Sequence, residues 1–533
     1  MASVILTTFT GALIYLLAIA VPFILFIISY QLLSHPLKNY PGPLAAKLTH
    51  GYEAFYGIRH CLHLTTYKCH LKYGPVVRLG PDRLVFNTMT AIHDIYTNPN
   101  VNKGRAYLPM AQGKITTMWI TPDRRDHRRK RKLIAPVISE RSMRSFEPQM
   151  LVQIDIFLRQ LLRSSHQGDP INMTRPCERL AVDIIGQLAF GFPLKTQTEE
   201  TNQPISDSLK AMSNLNTLLM AWPAMTAIAP LMGWLGRKKI GKFYQALHNM
   251  IKSRKAMTKD AKHDFYALAT GEINPGEYGL SDAELWPEAV FIMAAGGGTV
   301  HTALTVAFFY LSRYPTAYAR LAAEVRTTFS SGRDICQGPQ LASCKYLRAV
   351  IDEALRIAPS SLQVTWREQD ESSVRANEPL VVDGHVIPPG TQVAVNLYCL
   401  MHNEKYFSDP FVFHPERWLV SQHATAAERE AHATMRRAFQ PFVLGDRGCA
   451  GKAMAYLELS LAIAKTMWYF DFEKAPGKTG RLGEGLPGRT DGRGRRDEFQ
   501  LYDGIVVAHE GPNLEFKPRG EFWKELKDDG CET

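Results

Sequence analysis

The sequence predicts a mainly α protein with small β-sheets, an α+β fold arranged as one large domain behind an N-terminal transmembrane helix. Three features carry this. Apolar residues recur at three- and four-residue spacing over 142–164, 177–191, 240–270, 314–329, 338–356 and 451–469, the period of helices with one face in a core. Strand-like runs are short: PVVRL at 75–79, RLVFN at 83–87, PLVVDGHV at 379–386, TQVAV at 391–395 and NLEFK at 513–517. Finally, Val4 to Ile28 contains no charged residue over about 25 positions, enough at about 1.5 Å per residue to cross a hydrocarbon core of roughly 30 Å.

Taken in order, residues 1–30 read as an uncleaved anchor. No basic residue precedes the apolar run, as a cleaved signal would require, and the first after it is Lys38, which places the bulk of the chain on the cytosolic side. Residues 31–50, with Pro36, Pro41, Gly42 and Pro43, read as a stiff hinge, and 51–533 as one catalytic domain without an interdomain linker. Residues 211–236 lack charge but contain Asn214, Asn216, Pro223 and Pro230, which suits a broken segment at a membrane surface or a ligand-entry wall better than a span. Residues 289–312 are uncharged too, but Gly296, Gly297, Gly298, His301 and Thr302 point to a helix through the domain centre, its glycines admitting a ligand to the backbone. The Gly- and Arg-rich stretch 476–496 reads as an exposed loop.

Of 533 residues, 45% are hydrophobic and 21% charged, which excludes a wholly disordered or collagenous chain. A net charge of +11 implies an anionic partner without choosing among a membrane, an acidic protein and nucleic acid. Eight cysteines show no zinc-type spacing and fit a reducing compartment, where a cysteine matters only if its surroundings activate it.

Cys449 is such a cysteine. It lies in Pro441-Phe-Val-Leu-Gly-Asp-Arg-Gly-Cys-Ala-Gly451, where glycines let backbone N–H groups turn toward the sulfur and the helix starting at Lys452 adds its positive end, so the loop is expected to favour a thiolate. A thiolate of this kind is a haem ligand, and Arg447 is placed to meet a propionate. Here the sequence resembles the cytochrome P450 family, whose signature FxxGxRxCxG is met by Phe442, Gly445, Arg447, Cys449 and Gly451. Its texture is similar to the microsomal fungal members of secondary-metabolite pathways.

The resemblance implies further roles. Glu353 and Arg356, at i, i+3 on one helix face, close a buried triad with Arg417 of Phe413-His-Pro-Glu-Arg-Trp418. His127 and Arg131 stand where the family has a Trp-xxx-Arg propionate pair; with Arg367 and Arg447 they hold haem b. The rest of the basic run 124–132 faces outward to an acidic electron-transfer partner. Nothing interleaves that run with aromatics, so nucleic acid is not an expected partner. Electrons come from NADPH through a cytochrome P450 reductase, with cytochrome b5 as a second donor, since no flavin or nicotinamide fingerprint exists in this chain. The endoplasmic reticulum membrane, crossed once, is the implied location.

One departure stands out. Ala295-Gly-Gly-Gly-Thr-Val300 keeps the family's threonine, Thr299, which assists O2 protonation, but Gly298 replaces the acid before it. Three accounts are open: water, His301 or Thr302 substitutes; the substrate supplies a polar group; or dioxygen is not activated, leaving an isomerase, dehydratase or cyclase. A non-enzymatic membrane-tethered binder of anionic partners is a further alternative. The substrate pocket, placed by analogy, comprises Tyr107, Ile115, Trp119, Phe291, Ala295, Val364, Ile505 and Val506, an apolar set suited to a lipophilic small molecule such as a terpenoid or polyketide.

Overall fold

A computed structural model describes residues 2–111, 113–255, 266 and 279–526. The part of the expected 240–270 helix beyond 255, Tyr266 apart, and Cys531 lie outside the described residues.

The N-terminal helix Ala2–Ser29 runs through Pro22 into one π turn, Tyr30–Ser34. Its apolar side chains from Ile14 onward are largely exposed, with Phe26 68% accessible, so nothing in the body covers them, and the helix fits a membrane anchor. The proline-rich stretch does not stand off from the body. Arg78 donates to Gln31 Oε1 and Pro81 O, its backbone N–H donates to Pro41 O, and Gly42 approaches the Arg78 carbonyl so closely that a Cβ would lie 2.2 Å from it.

The expected helices form at 140–167, 174–190, 315–328 and 452–469; the 338–356 pattern is interrupted at Cys344 into Pro339–Ser343 and Lys345–Ile357. Each strand run pairs. Val76–Gly80, Arg83–Phe86, Gln392–Val395, Arg367–Gln369 and Val101–Lys103 form one five-stranded sheet in that order, and 379–386 is a hairpin of Leu380–Val382 with His385–Ile387.

The central helix Asp282–Leu311 starts on a Ser281–Glu284 capping box and is buried along most of its second half. It is as apolar as a membrane span, but it forms the core. Its glycines serve helix packing as well as ligand approach. A Cβ on Gly296 would meet Ile185 Cδ1 at 2.5 Å and one on Gly297 would meet Val182 Cγ2 at 3.1 Å, so both admit the helix Thr174–Phe190. The 211–236 segment is broken as expected. Pro204–Ala221 is helical, Trp222 and Pro223 end it, and a 3-10 turn leads to the helix Ala229–Lys255.

Candidate haem site

A cavity of about 590 Å³ lies between the central helix and the helix that begins at Lys452. The 441–451 loop forms its floor. Cys449 N–H donates to Phe442 O (2.8 Å) and Gly448 N–H to Gly445 O (2.9 Å), which winds the loop under the sulfur. Gly445 is required twice: its φ is +72°, and a Cβ would lie 2.0 Å from the Tyr96 carbonyl. Gly451 caps the following helix, and its N–H hydrogen-bonds Cys449. Cys449 opens into the cavity. Burial pushes its thiol up, outweighing Gly451 N–H, Arg131 and Lys452, which pull it down. The loop's N–H donor and neighbouring cations thus act on the sulfur in the direction the sequence predicts, and a metal cation bound at the sulfur would add to them.

Such a cation's carrier fits the rest of the floor. Lys103, His127, Arg131, Arg367 and Arg447 all line the same cavity. Arg131 donates to Gly448 O at 2.8 Å, and Arg447 donates to Thr121 O (2.6 Å) and Pro122 O (2.8 Å). Burial, then the nearby Arg367 and Arg124, push Arg447 down to about 10. Burial, with Arg447, Lys103 and Arg131 beside it, pushes His127 down to about 4, so its imidazole is neutral at pH 7. A crowd of cations of this kind beside a cavity-facing sulfur matches a planar dicarboxylate bearing a thiolate-seeking metal.

The triad forms as expected. Glu353, fully buried, accepts from Arg356 Nη2 (2.8 Å) and Nε (2.9 Å) and from Arg417 Nε (3.1 Å). Two further donors were not foreseen: Trp418 Nε1 at 3.0 Å and the His414 backbone N–H at 2.9 Å. The sequence placed both beside Arg417, but only the turn Pro415–Trp418 aims them at one carboxylate.

Thr299 lines the cavity and donates from Oγ1 to Ala295 O at 2.8 Å. Beside it, the place of the missing acid is filled. Val506 methyls occupy the space a side chain at 298 would need, while His301 is buried, its Nδ1 2.9 Å from Gly297 O and its ring 5.1 Å from His509. His301 is thus a packed helix histidine and lies outside the residues that line the cavity. Thr302 is likewise fully buried outside the lining.

Ile115, Trp119, Phe291, Ala295, Ile505 and Val506 line the cavity, with Trp119 and Phe291 stacked at 6.2 Å and 6°. Two expectations are corrected. Tyr107 sits behind the wall: its ring meets Trp119 edge-on at 5.4 Å and its hydroxyl turns to Arg367. Val364 points into the core cluster with Leu79, Trp366 and Ala394, because the strand-like alternation sends it to the face opposite Thr365, which does line the cavity. Lys103 was missed altogether, since a lone lysine in the short run Val101–Lys103 gives no signal.

The outward basic face is also smaller than expected. Arg124 donates to Asn102 Oδ1 and Val101 O, Arg129 pairs with Asp126 and Glu284, and buried Lys130 pairs with Glu288 at 3.3 Å. Arg125, Arg128 and Lys132 remain exposed.

Fold and floor together define a haem-thiolate class of site. The family model for cytochrome P450 matches residues 41–485, and the chain belongs to that family. It is 32% identical over 505 residues to the cytochrome P450 monooxygenase atnE of Emericella nidulans, covering 92% of this chain and 93% of the relative. It is 31% identical over 512 residues to the cytochrome P450 monooxygenase AKT7 of Alternaria alternata (94% and 97%), and 30% identical over 501 residues to poxM of Penicillium oxalicum (92% of each). Membership makes the chain a P450 monooxygenase, implies a haem iron held by a cysteine thiolate, and implies a redox-partner reductase. It weighs against a non-enzymatic binder.

Proposed function

We propose that this chain is a membrane-bound haem-thiolate monooxygenase that inserts one atom of O2 into a lipophilic small molecule, a fungal secondary-metabolite intermediate of terpenoid or polyketide type. The observation that carries it is Cys449 at the floor of an apolar cavity whose edge holds Arg131, Arg367 and Arg447. Bound haem supplies the redox chemistry by which one oxygen atom enters a C–H bond and the other leaves as water.

The protein's own groups do the rest. Cys449 would ligate the iron, and His127, Arg131, Arg367 and Arg447 would hold the propionates. Glu353, Arg356 and Arg417 brace the fold around the loop. Thr299 Oγ1, whose proton rests on Ala295 O, is the hydroxyl placed to orient a proton toward the reacting centre. Trp119, Phe291, Ile505 and Val506 exclude water and select an apolar substrate. With Val506 in the place of an acid, the protons Thr299 handles come from water or from a polar group on the substrate.

Electrons reach the haem from NADPH through a cytochrome P450 reductase, with cytochrome b5 as a second donor, docking by way of Arg125, Arg128 and Lys132. The helix Ala2–Ser29 anchors the chain in the endoplasmic reticulum membrane with the body cytosolic. Exposed Ile228, Leu231 and Trp234 give a second, monotopic contact.

The test is the reduced, carbon monoxide-treated protein. The red-shifted thiolate-haem band is expected in the wild type and its loss in Cys449→Ser; a band that survives the substitution overturns the reading. The filled Gly298 site favours one second reading, an isomerase, dehydratase or cyclase of the same fold. Product formed without NADPH and reductase would select it.

A further inference from the structure

We infer that the buried Lys130–Glu288 pair positions one wall of the cavity and thereby sets which ligands the cavity admits by size. That wall is the stretch before the helix Arg124–Ile134: Ile115, Thr117, Met118, Trp119 and Ile120 all line the cavity. From Thr116 to Ile120 the backbone is neither helix nor strand, so its shape depends on what other elements hold.

Two side chains from two helices hold it. Lys130, on Arg124–Ile134, donates to the Thr116 carbonyl, and Glu288 Oε1, on the central helix, accepts the Met118 N–H at 2.6 Å. Lys130 Nζ and Glu288 Oε1 meet at 3.3 Å, and both residues are buried. One ion pair thus clips both ends of Thr116–Met118 between the helices. Phe291 stands three residues beyond Glu288, on the same side of the central helix, and stacks on Trp119 at 6.2 Å and 6°. A single helix turn therefore fixes the backbone at 118 and the ring at 119, and a wall released from Glu288 would draw Trp119 off Phe291.

Stability does not account for the pair. Asp126 and Glu284, 3.4 and 3.7 Å from Lys130 Nζ, already supply its countercharge. Burial pushes the Glu288 carboxyl up to about 7 against the pull of Lys130 and the Met118 N–H, and Oε2 has no hydrogen-bond partner among the described residues. A buried ion pair with an unsatisfied oxygen is held at a cost that apolar residues of similar volume avoid. What it provides is a fixed backbone in a segment without secondary structure. The inference rests on the haem-thiolate reading above, because the ligands that test it are read through bound haem.

The experiment uses full-length protein in detergent, loaded with haem, as wild type, Glu288→Gln, Lys130→Met and the double variant Lys130→Met with Glu288→Met. Stopped-flow spectra read the association rates of imidazole, which is small, and of clotrimazole, whose aryl groups must pass the wall. The ratio of the two rates, imidazole over clotrimazole, is expected to fall about tenfold in the double variant, which keeps the packing volume but frees Thr116 and Met118. It should fall about threefold in Lys130→Met, which frees Thr116 alone. Glu288→Gln keeps an acceptor for the Met118 N–H and should stay within about twofold of wild type. A pair that only braces the fold would lower the melting temperature of the double variant and leave the ratio alone. That result, or an equal fall in Glu288→Gln, overturns the inference; if the double variant takes up no haem, Lys130→Met decides by the same ratio. Wild-type protein that takes up no haem overturns the haem-thiolate reading instead.

Discussion

A Cβ placed on Gly298 would lie 2.7 Å from Val506 Cγ2 and 2.8 Å from Cγ1, so the helix turn before Thr299 and the Val506 methyls claim one space. The residue type at 298 and the turn at 505–506 are therefore a matched pair. Glycine inside a helix normally costs about 1 kcal/mol relative to alanine. Here the sign should reverse. Gly298→Ala is expected to destabilise by about 1–3 kcal/mol through overpacking, and to stabilise when introduced on Val506→Ala. Thermal melts of the four proteins of the cycle check this; additive effects would show that the two side chains do not compete.

Glu353 takes five hydrogen bonds from four residues in a site without water access, so removing the charge strands Arg356 and Arg417. Glu353→Gln is expected to cost about 3–5 kcal/mol, read by urea unfolding. Burial alone would raise this carboxyl, but Arg356 and Arg417 hold it below its ordinary 4.5. The network's contribution is then full above about pH 4.5 and is lost as pH falls through the lower folded value. Wild type should lose stability on acidification relative to the variant in that window.

Glu458 presents the opposite sign. It lies buried in the helix after the cysteine loop, Oε1 has no hydrogen-bond partner among the described residues, and burial pushes it up to about 8. The native state therefore holds a proton that the unfolded chain has released. Stability from this group is full below about pH 4.5 and is lost as pH rises toward 8. Glu458→Gln should remove that slope, leaving the variant more stable than wild type at pH 8 by on the order of 3 kcal/mol, with little difference at pH 4.

Thr299→Ala removes the hydroxyl that donates to Ala295 O without leaving a buried donor unpaired. Haem content and melting temperature should stay near wild type while the fraction of NADPH consumption that ends in product falls by about 10²-fold, the lower range for loss of a proton-transfer group. Unchanged coupling would mean that Thr299 is a cavity wall only.

Deleting residues 1–30 removes the exposed anchor, keeps Gln31 on Arg78, and leaves Leu231 and Trp234 at 58% and 57% accessibility. The truncated protein is expected to remain with membranes after a salt wash, and Leu231→Ser with Trp234→Ser is expected to move it to the supernatant. Sedimentation with vesicles reads both.

Much of this was legible in the residues themselves. The uncharged N-terminal run, the helical spacings and the short strand runs each depend on local periodicity, and within the described residues they appear where the sequence places them, except that the 338–356 pattern breaks at Cys344. The cysteine loop was legible for a similar reason: its glycines, arginine and cysteine lie within eleven residues, so their mutual geometry is set by the loop they share. The ExxR pair is local to one helix turn, whereas the two extra donors to Glu353 arrive from a turn some sixty residues away.

Sequence alone determined the family, the ligand-bearing loop and the α+β class, because each is written in residues close together along the chain. Only the tertiary structure decided that Tyr107 and Val364 leave the pocket wall, that the Val506 methyls fill the space beside Gly298, and that His301 turns into the core. It also decided that most of the basic run is spent on internal partners and that Lys103 faces Arg367 across a sheet. These are contacts between segments tens to hundreds of residues apart, set by strand register and helix rotation. A one-residue slip in strand register would send each strand side chain to the other face, and a one-residue shift along a helix would turn its side chain by about 100°.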